Sequence, residues 1–82
     1  MLFGVSMMIL DSDLRDKLIV QARKLADERG WTWREPVEVT SGLDQGKPVW
    51  VIHTNVLMRS PSVRIVLRQS DLAVIRVGYL PR

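Results

Sequence analysis

Apolar positions recur along this chain with two different periods. Between residues 13 and 29, Leu14, Leu18, Ala22 and Leu25 form a stripe at helical spacing, with Ile19 and Ala26 alongside. Asp11, Ser12 and Asp13 are each competent N-caps. Asp11, Asp13 and Asp16 also favour the positive end of the helix dipole. Gly30 stands where a left-handed residue would close the helix. Acids and bases balance between residues 11 and 29, so the outer face of this helix reads as a solvated one.

Beyond Gly30 the period falls to two. Residues 31–40 alternate, with Trp31, Trp33, Val37 and Val39 on one side and Thr32, Arg34, Glu38 and Thr40 on the other. Pro36 lacks an N–H, which predicts an edge or bulged strand. Residues 41–48 (SGLDQGKP) read as a turn-rich loop. Residues 49–54 carry apolar groups on both faces, the pattern of a central strand. A connection broken at Ser60-Pro61 leads to a final hairpin of residues 63–69 and 72–79.

The pattern predicts an α+β domain: one N-terminal helix packed on a four-stranded antiparallel β-meander. The domain would span residues 11–82. The apolar arm 1–10, MLFGVSMMIL, would be an extra edge strand or a packed segment. It is too short to span a bilayer, and it lacks a secretory basic region and cleavage site.

One helix covers one face of a sheet. The uncovered face would hold apolar side chains interleaved with arginine, and parity across the last hairpin sharpens this. A two-residue turn at Ser70-Asp71 would set Arg76 beside Ile65 in the core. A buried unpaired arginine is costly. An odd-length loop or a bulge is therefore expected, gathering Arg64, Arg68 and Arg76 with Val66 and Val74 on the outer face. The register of residues 49–54 is open. Either Val49, Val51 and His53 face the helix and Trp50 and Ile52 face out, or the reverse.

Charge adds a direction. Residues 1–44 carry six basic and eight acidic side chains, a net of −2. Residues 45–82 carry Lys47, Arg59, Arg64, Arg68, Arg76 and Arg82 against Asp71 alone, a net of +5. Five of those six cations are arginine, whose planar fork suits carboxylates and phosphates. The asymmetry points to a protein partner with an acidic surface, or to the acidic half of a second copy.

Catalytic chemistry finds little to work with. There is no cysteine and a single histidine, His53, which sits among apolar neighbours and reads as structural or partner-facing. The paired acids Asp11/Asp13 and Asp27/Glu28 are accounted for by capping and helix solvation. No Walker or Gly-x-Gly-x-x-Gly motif occurs, and no metal-ligand spacing does. No catalytic residue, metal or cofactor is expected. The absence of cysteine fits a cytoplasmic location.

The helix end Leu25-Ala26-Asp27-Glu28-Arg29-Gly30 and the strands Val49-Trp50-Val51-Ile52 and Val63-Arg64-Ile65-Val66-Leu67 together resemble the small α+β modules of the PepSY-like kind. The tail Gly78-Tyr79-Leu80-Pro81-Arg82 is similar to that of small bacterial immunity proteins, which neutralise delivered toxins. The resemblance implies a non-enzymatic binding or inhibitory role. Nuclease-blocking immunity proteins tend to be acidic, and the basic half of this chain argues against that target.

The expected function is protein binding through an apolar and arginine-bearing sheet face, with self-association. Trp50 and Ile52, or their neighbours, would anchor it, joined by Arg59, Arg64, Val66, Arg68, Val74 and Arg76. At least one of Trp31, Trp33 and Trp50 would contribute to the binding surface. The alternative is nucleic-acid binding by the same arginines, although no aromatic side chain lies among them for base stacking.

Overall fold

The computed structural model describes residues 10–58 and 60–81. Helix α1 (Ser12–Glu28) is followed by strands β1 (Val37–Asp44), β2 (Lys47–Thr54), β3 (Ser62–Arg68) and β4 (Val74–Leu80). The strands form one antiparallel sheet in sequential order, β1-β2-β3-β4. The predicted α+β architecture, one helix on a four-stranded meander, is the observed one. The arm at residues 1–9, where an extra strand was expected, lies outside the described residues.

Local chemistry fixes both ends of α1. Asp11 caps it, its carboxylate accepting the Leu14 N–H at 2.8 Å. At the far end Gly30 adopts φ +71°, and its N–H donates to the Asp27 carbonyl at 3.1 Å. The Trp31 N–H donates to the Ala26 carbonyl at 2.9 Å, which completes a Schellman closure. The helix presents Leu18, Ala22 and Ala26 to the sheet, where Trp50, Ile52, Val63, Ile65 and Leu67 complete the core. The two alanines let the helix backbone come close to those larger strand residues.

Two segments differ from the sequence reading. Residues 31–36 form no strand, and β1 starts only at Val37, directly after Pro36. The alternation still has a physical basis. Trp31 and Trp33 are half-buried against the core while Thr32 and Arg34 face outward. The expected loop at 41–48 is mostly strand. β1 runs to Asp44, β2 begins at Lys47, and Asp44 pairs with Lys47 across a two-residue turn. Gln45 (φ 53°) and Gly46 (φ 80°) both take left-handed backbone, the conformation of a tight hairpin turn.

The last hairpin follows the parity argument. Five residues connect β3 to β4, and the register shifts between Val66 and Leu67. Val66 pairs with Arg76, whereas Leu67 pairs with Val74, so Ile75 is the extra residue of a β-bulge. Arg76 is thereby removed from the core side. Leu72 (φ 59°) sits in the connection in left-handed backbone, rare for leucine. It is held there by packing on the core and by the Gln21 side-chain amide, which donates to its carbonyl at 3.1 Å.

Candidate protein-binding face

Cross-strand pairing sorts the sheet into two faces, because directly paired residues share a side. Ser41, Trp50 and Leu67 lie on the helix side, and so do Val39, Ile52, Ile65 and Val77. Thr40, Val51, Val66 and Arg76 form a row on the open side, and Glu38, His53, Arg64 and Gly78 form another. This decides the register that the sequence left open and corrects the choice of anchors. Trp50 (1% exposed) and Ile52 (0%) are core residues under α1 and present nothing to a partner. Their neighbours Val49 and Val51 take the open side.

The open side is less exposed than a bare sheet face would be. Val49 and Val66 are only 2% and 7% exposed, although among the described residues no helix or strand lies above them. The sheet curls. Asp44 near the end of β1 and Arg76 on β4 meet across this face, with Arg76 Nε 2.9 Å from Asp44 Oδ2 and Nη2 3.1 Å from Oδ1. First and last strands of a flat four-stranded sheet stand about 14 Å apart. The bidentate pair therefore clasps the two edges over a hollow of about 280 Å³, lined by Leu43, Asp44, Val49, Val51, Arg64, Val66 and Arg76. The hydrogen bonds from Arg76 hold the Asp44 carboxyl below the usual carboxylate range; partial desolvation opposes this and the opposite charge assists it. The same pairing raises the Arg76 guanidinium further above its already high value.

An adjoining hollow of about 210 Å³ is lined by Asp44, Gln45, Lys47, Arg68, Ile75 and Arg76. Arg68 Nε lies 3.2 Å from Asp71 Oδ1, an ion pair without good hydrogen-bond alignment at that nitrogen. The Gln69 side-chain amide folds back to the Val49 carbonyl at 3.0 Å and tidies the edge of the valine floor.

The expected arginine set is thus brought together as Arg64, Arg68 and Arg76, with Val66 among them. Val74 is not part of it. The bulge sets Val74 opposite Leu67, on the helix side of the register, and Ile75 takes its place beside Arg76. Arg59 lies outside the described residues. One open-face participant was not anticipated: Asp44, assigned to a loop by its glycine-rich surroundings; Leu43 beside it lines the same hollow although its pairing with Pro48 sets it on the helix side of the register. His53 is half-buried between Glu38 and Arg64 in the open-face row. Among the described residues, no three potential ligands of the His, Asp or Glu type converge as a metal site would require. No helix among them is long and apolar enough to cross a membrane.

The aromatic residues among those described all sit away from this face. Trp31 stacks on Tyr79 with centroids 5.2 Å apart and planes 5° apart, and the Arg29 guanidinium lies 5.3 Å from the Trp31 ring. The Tyr79 hydroxyl accepts the Thr32 N–H at 3.4 Å, tying the post-helix connection to β4. No protein-family model, curated protein or solved structure matches this chain significantly.

Proposed function

We propose that this chain is a protein-binding module that takes an acidic partner on the open face of its sheet. One observation carries the reading: the cations on this face differ in their engagement. Arg76 is paired with Asp44 and Arg68 with Asp71, whereas Lys47 and Arg64 form no ion pair among the described residues. Two unengaged cations thus flank a shallow apolar floor. A partner carboxylate beside an apolar side chain matches that layout, with burial against Leu43 and the part-exposed Val51 supplying affinity and the cations supplying selection and steering. This is also the kind of binding or inhibitory role implied by the likeness to PepSY-like modules and immunity proteins. Recognition of single-stranded nucleic acid is the weaker reading, because among the described residues the open face offers no aromatic platform for bases.

Selection from a displayed random-peptide library tests the proposal. Peptides pairing Asp or Glu with a neighbouring apolar residue should be enriched, and the enrichment should vanish on Arg64→Glu/Lys47→Glu protein. Enrichment of neutral or basic peptides would refute the proposal. So would salt-dependent binding of a single-stranded oligonucleotide without peptide enrichment.

A further inference from the structure

The two arginine–aspartate pairs differ in which partner they bury. In Arg68–Asp71 both side chains are exposed, at 44% and 55%. In Arg76–Asp44 the guanidinium is 61% exposed and the carboxylate only 16%. The clasp therefore tucks its anion away and leaves its cation in the open. The hydrogen bonds show which part of that cation is free. Asp44 takes Nε and Nη2 of Arg76, one on each carboxylate oxygen, which is one side of the guanidinium fork. A guanidinium has more N–H donors than this contact uses. Nη1 makes no hydrogen bond among the described residues.

Backbone geometry sets both ends of the clasp. Asp44 ends β1 at the left-handed Gln45-Gly46 turn, and Arg76 follows the bulge at Ile75. A bulge re-aims the side chains of its strand. Arg76 also belongs to both hollows, with Arg64 in the one of about 280 Å³ and with Lys47 and Arg68 in the one of about 210 Å³.

We infer that Arg76 is a carboxylate-recognising side chain of the open face, and that Asp44 is its positioning residue, holding one side of the fork so that the rest meets a partner acid. This rests on the acidic-partner reading and adds the residue that tells a carboxylate from its amide. The planar fork can grip a second carboxylate through two N–H groups, which the point charge of a lysine cannot do. An unpaired arginine would lose rotamer freedom on binding, whereas one ordered by Asp44 has lost it already on folding. Asp44 offsets the charge of Arg76, so the selectivity of Arg76 is directional, and Lys47 and Arg64 supply the steering charge.

Directional recognition and charge alone predict opposite signs for Asp44→Asn. The substitution removes a negative charge, so charge alone would strengthen the preference for an acid. An amide oxygen cannot take both Nε and Nη2 as the carboxylate does, so loss of positioning weakens that preference.

The experiment is calorimetric titration of a library-selected acidic peptide, and of the same peptide with its acids replaced by their amides, into the parent, Asp44→Asn, Arg76→Lys and Arg64→Glu. Circular dichroism checks that each variant is folded. The quantity read is the ratio of the two affinities. It should fall by about three- to tenfold in Asp44→Asn, where binding must order the arginine afresh. It should fall at least as far in Arg76→Lys, which keeps a cation facing Asp44 but has no fork. A clasp that only shapes the sheet would weaken both peptides alike and leave the ratio unchanged. An unchanged ratio in Arg76→Lys would overturn the inference, and so would an unchanged or raised ratio in Asp44→Asn. Arg76→Lys decides alone if Asp44→Asn does not fold. If only Arg64→Glu abolished the preference for the acid, the inference would fall and the acidic-partner reading would stand. A parent with no preference for the acid would overturn both.

Discussion

On the helix side of the sheet, Trp50, Ile52, Ile65 and Leu67 are sealed by an element that the chain supplies for the purpose. On the other side, Val49 and Val66 are almost as well buried, and among the described residues only the curl of their own sheet and the rim it draws together shelter them. The first kind of burial comes from layer packing and is insensitive to charge. The second depends on edges meeting, and one ion pair joins those edges. A small domain can thus withdraw much apolar surface from water without a second helix and still keep a shallow, basic trough accessible.

The comparison is broken most severely by truncation under the helix. Trp50→Ala should lower stability by about 3–5 kcal/mol. Val49→Ala on the open side should lower it by only about 1–2 kcal/mol, roughly its lost methyl groups. Parallel denaturant melts of the two variants measure the gap, and equal losses would mean that the faces are equivalent. Removing the cap that starts the covering helix, Asp11→Ala, should cost about 1 kcal/mol in the same melts.

Trp50→Phe separates the apolar bulk of the indole from its N–H. That N–H is buried and has no acceptor among the described residues, so its loss forfeits no hydrogen bond there. The variant should lose less than Trp50→Ala, because the phenyl ring fills most of the indole site and leaves a smaller cavity. A loss as large as that of Trp50→Ala would show that the indole nitrogen is satisfied after all.

The clasp gives the smallest effect and the one that responds to pH. The Asp44 carboxyl is held below its ordinary value in the folded protein, chiefly by the hydrogen bonds from Arg76. Its stabilisation is therefore complete above the ordinary carboxylate range of about 4 and is lost as pH falls through the lowered folded value. Asp44→Asn should be less stable than the parent at pH 7, and the two should converge as the pH is taken well below 4. Salt should narrow the difference at pH 7 as well. A difference that is constant with pH would detach Asp44 from the clasp.

How much of this was legible in the sequence follows the same division. The helix was readable because its stripe, cap and closing glycine are local signals that agree. The face of Arg76 was readable because the cost of burying an arginine outweighs a regular hairpin, which left a bulge or an odd-length loop as the resolution. The register of β2 was not readable. Val49, Trp50, Val51 and Ile52 are apolar on both sides, so neither phase is penalised, and the anchors were placed on the wrong face. The turn at Gln45-Gly46 was hidden by Ser41 and Gly42, which look like turn residues but pair within β1. The Asp44–Arg76 clasp joins residues 32 positions apart and exists only because the sheet curls, which no local pattern encodes. Residues 31–36 kept the period of a strand because alternate side chains meet the core there, but Pro36 lacks an N–H, and the Arg34 and Pro36 carbonyls accept from Asn55 and Val56 without forming a regular ladder.

Calorimetric titration with charge exchange tests the acidic-partner reading most directly. A library-selected acidic peptide is titrated into the parent and into Arg64→Glu, and then the same peptide with its acids replaced by lysine is titrated into both. The account predicts that Arg64→Glu loses the acidic peptide at least tenfold and gains the lysine peptide, since inverting both partners restores the attraction. Equal affinity of parent and Arg64→Glu for the acidic peptide would contradict it.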